Sequence, residues 1–361
     1  MKKRMLYLIN VNWGWIKQRP QYLAEELAKY YKVEVWQKKE YKKKTEKPIF
    51  HDLDLKVENL FRLPFESNNI ISKANYYLIA HQLNEKIKQN DIIWLSDASF
   101  FSAMKVPDNK LLVYDCMDDN LEFPYIKNNS FKKKRFLQSE KELLEKCDVC
   151  FFSSDYLAKV LSDRYNIDLS SKMCILNNAI KKTKDCISIK KINREDEFHI
   201  CYIGTVASWL DFELLDYSIK EIPGIVYDIY GPKEVDIPYN EKIKYHGILE
   251  HEKVYDVMKK SDLLVMPFKK IPLILAVNPV KLYEYIKSGR PSLAVRYKES
   301  ERFSPFVSLY NDKDEYVSLI RQYKENIWNP KFNENDIAEF IKENTWDKRG
   351  EFIRERLEVL L

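Results

Sequence analysis

Short β-branched and aromatic runs, apolar at nearly every position, recur along this chain and alternate with longer helical stretches. In the first half, 5–10 (MLYLIN), 32–36 (KVEVW), 91–95 (DIIWL), 111–115 (LLVYD) and 148–152 (DVCFF) read as strands, with helices near 18–30, 70–89, 131–146 and 154–164. In the second half, 198–203 (FHICYI), 225–230 (IVYDIY), 243–247 (IKYHG), 263–267 (LLVMP) and 291–295 (PSLAV) read as strands, with helices near 210–219, 251–260, 280–288 and 313–325. A strand apolar on both faces must be covered on both faces, and intervening helices supply the cover, which is the signature of a parallel sheet. The pattern predicts an α/β protein of two doubly wound domains.

The length of 361 residues suits two domains of this kind. The stretch 181–196 (KKTKDCISIKKINRED) is charged and aperiodic, and is the candidate linker. It sets a first domain at 1–182 and a second at 195–345. A closing amphipathic helix follows at 346–361, with Phe352, Ile353, Leu357 and Leu360 at helical spacing.

Composition removes several classes. With 45% hydrophobic and 32% charged residues, the chain builds real cores. No stretch approaches the length of a spanning helix. The apolar run after Lys2-Lys3-Arg4 is too short for a secretory signal, so the expected location is cytoplasmic, peripheral at the inner membrane face. Six scattered cysteines make no disulfide framework. Cys147 and Cys150 have metal-type spacing but lie in an apolar run with no second pair, and read as buried thiols. Residues 1–180 hold 30 Lys and Arg against 24 Asp and Glu, and residues 181–361 hold 30 against 31. A mildly basic first half fits a phosphorylated ligand or an anionic membrane surface, and no nucleic-acid motif is present.

Glycine is scarce, seven in all. Gly14 and Gly204 each fall in the loop after the first strand of a half, where open α/β sheets bind ligands. Both are candidates for close approach of a ligand to the backbone, with ordinary tight turns as the plain alternative. Gly289 reads as a helix C-cap.

The segment 278–295 (NPVKLYEYIKSGRPSLAV) carries the strongest local signal. Pro279 is placed to open a helix. Lys281, Glu284 and Tyr285 fall on its first turns, with Lys281 and Tyr285 at i, i+4. A helix start after a strand favours anions, and a lysine there neutralises a diphosphate. A carboxylate one turn on accepts hydrogen bonds from ribose hydroxyls. An exposed Lys–Glu helix pair is the plain alternative.

This segment resembles the nucleotide-sugar motif of glycosyltransferases of the GT-B fold, two Rossmann-like domains facing across a cleft. Other segments agree in order: 13–29 (WGWIKQRPQYLAEELAK), 113–119 (VYDCMDD), 148–157 (DVCFFSSDYL), 175–180 (ILNNAI), 202–215 (YIGTVASWLDFELL), 227–232 (YDIYGP) and 246–268 (HGILEHEKVYDVMKKSDLLVMPF). Together they are similar to the bacterial branch that includes teichuronic acid and polysaccharide biosynthesis transferases, over nearly the whole chain. The resemblance implies that Glu284 binds the donor ribose and that Asn278, Pro279, Val280 and Lys281 lie at the donor sugar and phosphates. Backbone N–H groups of Gly204, Thr205 and Val206 would assist, and His246 would touch the base or ribose. It also implies a nucleotide diphosphate sugar as donor, a UDP-sugar favoured, with no required cofactor and no metal.

Two departures stand out. The retaining family of this fold carries two glutamates eight positions apart; the first falls at Ala276 here, and 269–283 contain no acid. Its Arg and Lys after the first loop of the second domain are also missing from 204–215. Stereochemistry is therefore open, and an inverting reaction needs a base.

The first domain is expected to hold the acceptor. Trp13, Gly14 and Trp15 present flat apolar faces suited to sugar rings, and Arg19 is a candidate phosphate ligand. The tryptophans plugging the domain interface is the alternative. Asp115, Asp118 and Asp119 cluster at a strand end, where neighbouring carboxylates raise one another's pKa. Asp118 is the candidate base and Asp115 belongs to the strand; a solvated turn with an N-cap is the alternative. Ser153-Ser154-Asp155 reads as a helix N-cap, not a nucleophile elbow. His51, His81, His199, His246 and His251 form no ligand motif. The stretches 37–48 and 131–136 interleave lysines with aromatics and suit contact with anionic lipid.

The function these features favour is transfer of a sugar from a nucleotide diphosphate sugar to a lipid-linked glycan. A nucleotide-sugar epimerase and a non-catalytic nucleotide-sugar-binding subunit are the alternatives on the same fold.

Overall fold

This computed structural model describes residues 2–9, 11–14, 16–38, 55–65, 68–99, 101–182, 189 and 197–361. Nearly all of the expected linker and of the basic stretch 37–48 lies outside the described residues, as do Trp15, His51 and Cys186. The chain divides into two compact units, Met1–Asn178 with Trp346–Leu361, and Ala179–Thr345.

The first unit runs β1 (Arg4–Leu8), α1 (Arg19–Ala28), β2 (Lys32–Lys38), β3 (Lys56–Leu60), α2 (Asn69–Ile87), β4 (Ile92–Leu95), β5 (Leu111–Cys116), α3 (Pro124–Lys127), α4 (Ser130–Lys146), β6 (Val149–Phe152), α5 (Asp155–Tyr165) and β7 (Met173–Ile175). Its seven strands are all parallel, in the order β3-β2-β1-β4-β5-β6-β7. β4, β5 and β6 are buried at every residue, as their apolar runs require, and Asp115 of β5 is buried with Arg19 as its partner.

The second unit runs β8 (Phe198–Ile203), α6 (Phe212–Glu221), β9 (Ile225–Tyr230), β10 (Ile243–Tyr245), α7 (His251–Lys260), β11 (Leu263–Met266), α8 (Pro272–Ala276), α9 (Val280–Ser288), β12 (Ser292–Val295), α10 (Lys298–Glu301), β13 (Ser308–Tyr310), α11 (Lys313–Lys324) and α12 (Glu334–Glu343). Six parallel strands follow the order β10-β9-β8-β11-β12-β13. Each sheet is a doubly wound α/β layer, as the alternation predicted.

The chain then returns to the first unit with α13 (Trp346–Glu358). Trp346 stacks on Tyr22 of α1 at 5.0 Å, and Arg349 Nε donates to the Asn177 carbonyl at 3.0 Å. The C-terminal helix is thus part of the first unit's core.

Three strands and four helices were not expected: β3, β7, β13, α3, α8, α10 and α12. β7 and β13 are three residues long, and β3 (KVENL) lacks a continuous apolar run. All three strands sit at sheet edges, where pairing to a neighbour rather than local propensity makes the strand.

Candidate functional site

In the second unit the strand order reverses between β8 and β11, and loops at such a reversal form the ligand site of open α/β sheets. The loops after these strands are bound to one another. Leu210 bridges Phe268, the Asp211 N–H donates to the Pro267 carbonyl at 2.9 Å, and the Lys269 N–H donates to the Trp209 carbonyl at 2.8 Å. This pairing brings Lys269 to the loop after β8, whose residues 204–211 hold no cation of their own. Lys269 is partly buried, and among the described residues its ammonium has no partner. Sequence reading missed it because the cation comes from about sixty positions downstream.

Gly204 begins the first of these loops. Its glycine character is required within the unit: a Cβ there would meet the Tyr202 hydroxyl at 2.6 Å, and a Cβ on Gly231 would meet the Gly204 carbonyl oxygen at 1.9 Å. The Thr205 carbonyl accepts from the Tyr202 hydroxyl at 2.8 Å. The ends of β8 and β9 are therefore in backbone contact.

Pro279 is the N-cap of α9, one position before the helix, and Gly289 ends it at φ 69°. The first-turn N–H groups have no intrahelical acceptor and carry the positive end of the helix dipole. Lys281 Nζ donates to Glu284 Oε2 at 2.7 Å, and the two side chains are 31% and 29% exposed. Val280, beside them, is also partly exposed.

One expectation at this helix start is corrected, that of Asn278 at the donor, and Tyr285 shares the spacing of Lys281 but not its exposure. It is fully buried, and its hydroxyl accepts from the Ile203 N–H and donates to the Val265 carbonyl, both at 3.3 Å. It therefore fixes α9 against the ends of β8 and β11. Asn278 is 1% exposed, with Nδ2 3.5 Å from Glu299 Oε2 and Oδ1 accepting from Tyr283 at 3.2 Å. Its amide belongs to the internal support of the helix start.

His246 is exposed just after β10, its ring stacked on Tyr230 at 4.6 Å. Its Nε2 lies 2.7 Å from Asp228 Oδ1, while His199 Nδ1 lies 2.6 Å from Asp228 Oδ2. One carboxylate thus orients two imidazoles, a pairing of neighbouring strands invisible in the linear sequence.

In the first unit the reversal lies between β1 and β4. Trp13 and Gly14 follow β1. The Trp13 N–H donates to Gln37 Oε1 at 2.6 Å and the Gly14 N–H to Asn12 Oδ1 at 2.9 Å. Both residues are partly buried.

Arg19 is corrected as a phosphate ligand. It is 4% exposed, and all three guanidinium nitrogens are engaged. Nε and Nη2 donate to Asp115 Oδ1 at 3.0 and 2.6 Å, and Nη1 donates to the Leu176 carbonyl at 2.5 Å. A guanidinium held this way cannot turn to a ligand without leaving Asp115 buried and unpaired.

The three aspartates at the end of β5 separate cleanly. Asp115 is consumed by Arg19. Asp119 takes a two-pronged ion pair from Arg164, at 2.9 and 2.5 Å. Asp118 is left, and among the described residues nothing donates to its carboxyl. Burial pushes its pKa up to about 7; Arg19 opposes the rise, and the charges of Asp119 and Asp115 add to it. Behind Arg164 lies Glu140, 1% exposed, accepting from Tyr114 at 2.7 Å and Tyr165 at 2.8 Å. Burial lifts it to about 7, against the hydrogen bonds of the two tyrosines and the charge of Arg164. Sequence reading missed Arg164 and Glu140, which look like ordinary polar residues of α5 and α4. Ser154 caps α5 by accepting from the Leu157 N–H at 3.1 Å. Cys147 and Cys150 are buried free thiols 3.0 Å apart.

Among the described residues no group of three or more His, Cys, Asp or Glu is arranged to hold a metal ion. No helix among them is long and apolar enough to cross a membrane.

Solved structures decide the fold. Anabaena Alr3699/HepE, crystallised with UDP-glucose, matches 99% of this chain and 100% of its own at a TM-score of 0.69 and 13% identity. Sucrose-phosphate synthase from Thermosynechococcus elongatus matches 99% of both chains at 0.75 and 12% identity. The chain has the GT-B fold. In sequence it is similar to TuaH of Bacillus subtilis, which carries the name of a teichuronic acid biosynthesis glycosyltransferase, at 22% identity over 227 residues. That match covers 58% of this chain and 56% of TuaH, so the chain spans little more than half the length of this curated relative. No family model matches the chain.

Proposed function

We propose that the protein is a glycosyltransferase that moves a sugar from a nucleotide diphosphate sugar, a UDP-sugar in the first instance, to a lipid-linked glycan acceptor of cell-surface polysaccharide. The observation that carries the reading is the start of α9. There an exchangeable Lys281–Glu284 pair stands at a helix N-terminus, on a fold shared with a structure that holds UDP-glucose. The name of TuaH supports the polysaccharide assignment.

In this reading Glu284 releases Lys281 and accepts the ribose hydroxyls. Lys281, Lys269 and the first N–H groups of α9 balance the diphosphate as it leaves. Gly204 and Thr205 present backbone to the donor, and His246 borders it. The first unit takes the acceptor, with Trp13, Gly14 and Trp15 against its sugar faces. Asp118, ionised above about pH 7, accepts the proton of the attacking hydroxyl. Such a base suits inversion at the anomeric carbon. The basic balance of residues 1–180 supports contact with an anionic membrane, where a lipid-linked acceptor lies.

A thermal-shift panel of nucleotides and UDP-sugars tests the donor assignment. A ligand at a hundred times its Kd stabilises by about 2.7 kcal/mol and must raise Tm. A chain whose Tm ignores every member of the panel is not a nucleotide-sugar enzyme. NMR of the product anomer then tests inversion.

A further inference from the structure

α2 has an exposed ridge that no core requirement explains. Ile70, Lys73, Ala74 and Tyr77 recur at i, i+3, i+4 and i+7 and all face solvent, Ile70 at 79% and Tyr77 at 59% exposure. Two basic and aromatic segments are tied to its flanks. On one side the strand extension 61–65 bonds to Asn75 and Gln82. Leu63 N–H donates to Asn75 Oδ1 at 2.6 Å, and Phe61 N–H donates to Gln82 Oε1 at 2.9 Å. This segment exposes Phe61, Leu63 and Phe65, the last at 72%. On the other side Arg135 of α4 donates to the Ser72 carbonyl at 3.3 Å and lies over the rings of Tyr76 and Phe131.

The charge of this surface is predominantly positive. Residues 59–84 and 126–139 contain a single acid, Glu66, against Arg62, Lys73, Lys127, Lys132, Lys133, Lys134 and Arg135. Lys127 is neutralised by Glu122 at 2.7 Å. Lys73, Lys132, Lys133 and Lys134 have no carboxylate partner among the described residues. Exposed aromatic and aliphatic side chains are costly in water and clustered lysines repel one another, and both costs are relieved at one kind of surface. A bilayer interface accepts the apolar tips at the headgroup level and the cations at the phosphates.

From this we infer that the α2 ridge, with 61–65 and the start of α4, is the face that docks on an anionic lipid bilayer. The inference rests on the membrane part of the proposed function and assigns it to named side chains. It does not depend on the donor site, which lies in the other unit.

Cosedimentation with vesicles of phosphatidylglycerol and phosphatidylcholine, against phosphatidylcholine alone, is the test, run with size-exclusion chromatography. The whole chain is expected to bind the anionic vesicles at low salt and to release at high salt. Each cation near the surface is worth about five-fold in partitioning, so Lys73→Gln/Lys133→Gln/Lys134→Gln should weaken binding on the order of a hundred-fold. Ile70→Ser/Tyr77→Ser should weaken it while leaving the salt dependence in place. Both variants change exposed residues, and an unchanged Tm rise with UDP shows that they are folded. Wild-type indifference to anionic vesicles overturns the inference. So does binding that neither variant weakens, which would put the contact elsewhere. A dimer that Ile70→Ser/Tyr77→Ser dissociates, without vesicle binding, makes the occupant a second copy and also overturns it. Failure of UDP to bind, with vesicle binding intact and lost in the variants, removes the proposed activity and leaves this surface standing.

Discussion

The loop after β5 and the start of α9 both gather charged residues at the carboxyl end of a parallel sheet, yet the two are built in opposite ways. At the end of β5 the charges are buried and committed: Asp115 to Arg19 and Asp119 to Arg164. Loss of solvent, with a smaller push from their repulsion, raises the remaining Asp118 to about 7. At α9 the charges of Lys281 and Glu284 are about one-third exposed and held only by each other. A buried pair resists exchange because separating it strands a charge in low dielectric, whereas a half-exposed pair trades partners with water or ligand at little cost. In the proposed function the first arrangement serves as the proton acceptor and the second binds the donor.

The largest effect that breaks this comparison should come from Asp118→Asn. Removing the base while keeping its size should lower the chemical rate by ~10²–10⁴, with donor affinity nearly intact. In the wild type the rate should rise with pH and level off above about 7, since only the ionised carboxyl accepts a proton. Full activity in the variant, or a product with the donor's anomeric configuration, would remove Asp118 as the base.

Arg19→Ala should come next, with a loss of ~3–5 kcal/mol in urea denaturation because it leaves Asp115 buried and unpaired. Lys281→Ala should cost only ~0–1 kcal/mol of stability by the same measurement. Equal losses would mean that the two ion pairs are not of different kinds.

Glu284→Ala should weaken UDP or UDP-sugar binding by ~1–3 kcal/mol in calorimetry through lost charged hydrogen bonds. Unchanged affinity for a donor that binds the wild type would detach Glu284 from the ribose.

The smallest effect sharpens the electrostatic half of the contrast. Glu140 holds its proton up to about pH 7 when folded, while the unfolded chain releases it near the ordinary carboxylate pKa of about 4. The folded state therefore binds more protons in that window, and stability must fall as pH rises through it and level off above. Glu140→Gln should reduce the fall in urea midpoint between about pH 5 and about pH 8. A midpoint slope identical to wild type would show that Glu140 is ionised throughout.

Much of the architecture is legible in the residues themselves. The run 280–288 reads as a helix and is one, because an apolar stripe, a preceding proline and a following glycine agree on its ends. β4, β5 and β6 read as buried strands because each carries four consecutive apolar or aromatic residues. The edges are harder. α12 presents a polar sequence, ENDIAEFIKE, whose helix depends on the Asn333 cap and on packing of Ile337. β7 and β13 are too short to carry a period. The candidate sites divide in the same way: Lys281 and Glu284 are visible from spacing, while Lys269 and Arg164 reach their places only through loop and helix contacts.

The sequence by itself determined which side chains are charged, where strands and helices alternate, and that a lysine and a glutamate stand one turn apart at a helix start. These are local properties, set by residue type and spacing. Only the tertiary structure decided which charges are spent. Arg19 meets Asp115 from 96 positions away, and Arg164 meets Asp119 from 45. Whether a carboxyl is paired, exposed or left alone in low dielectric depends on distances through space, and those distances exist only once the sheets have formed.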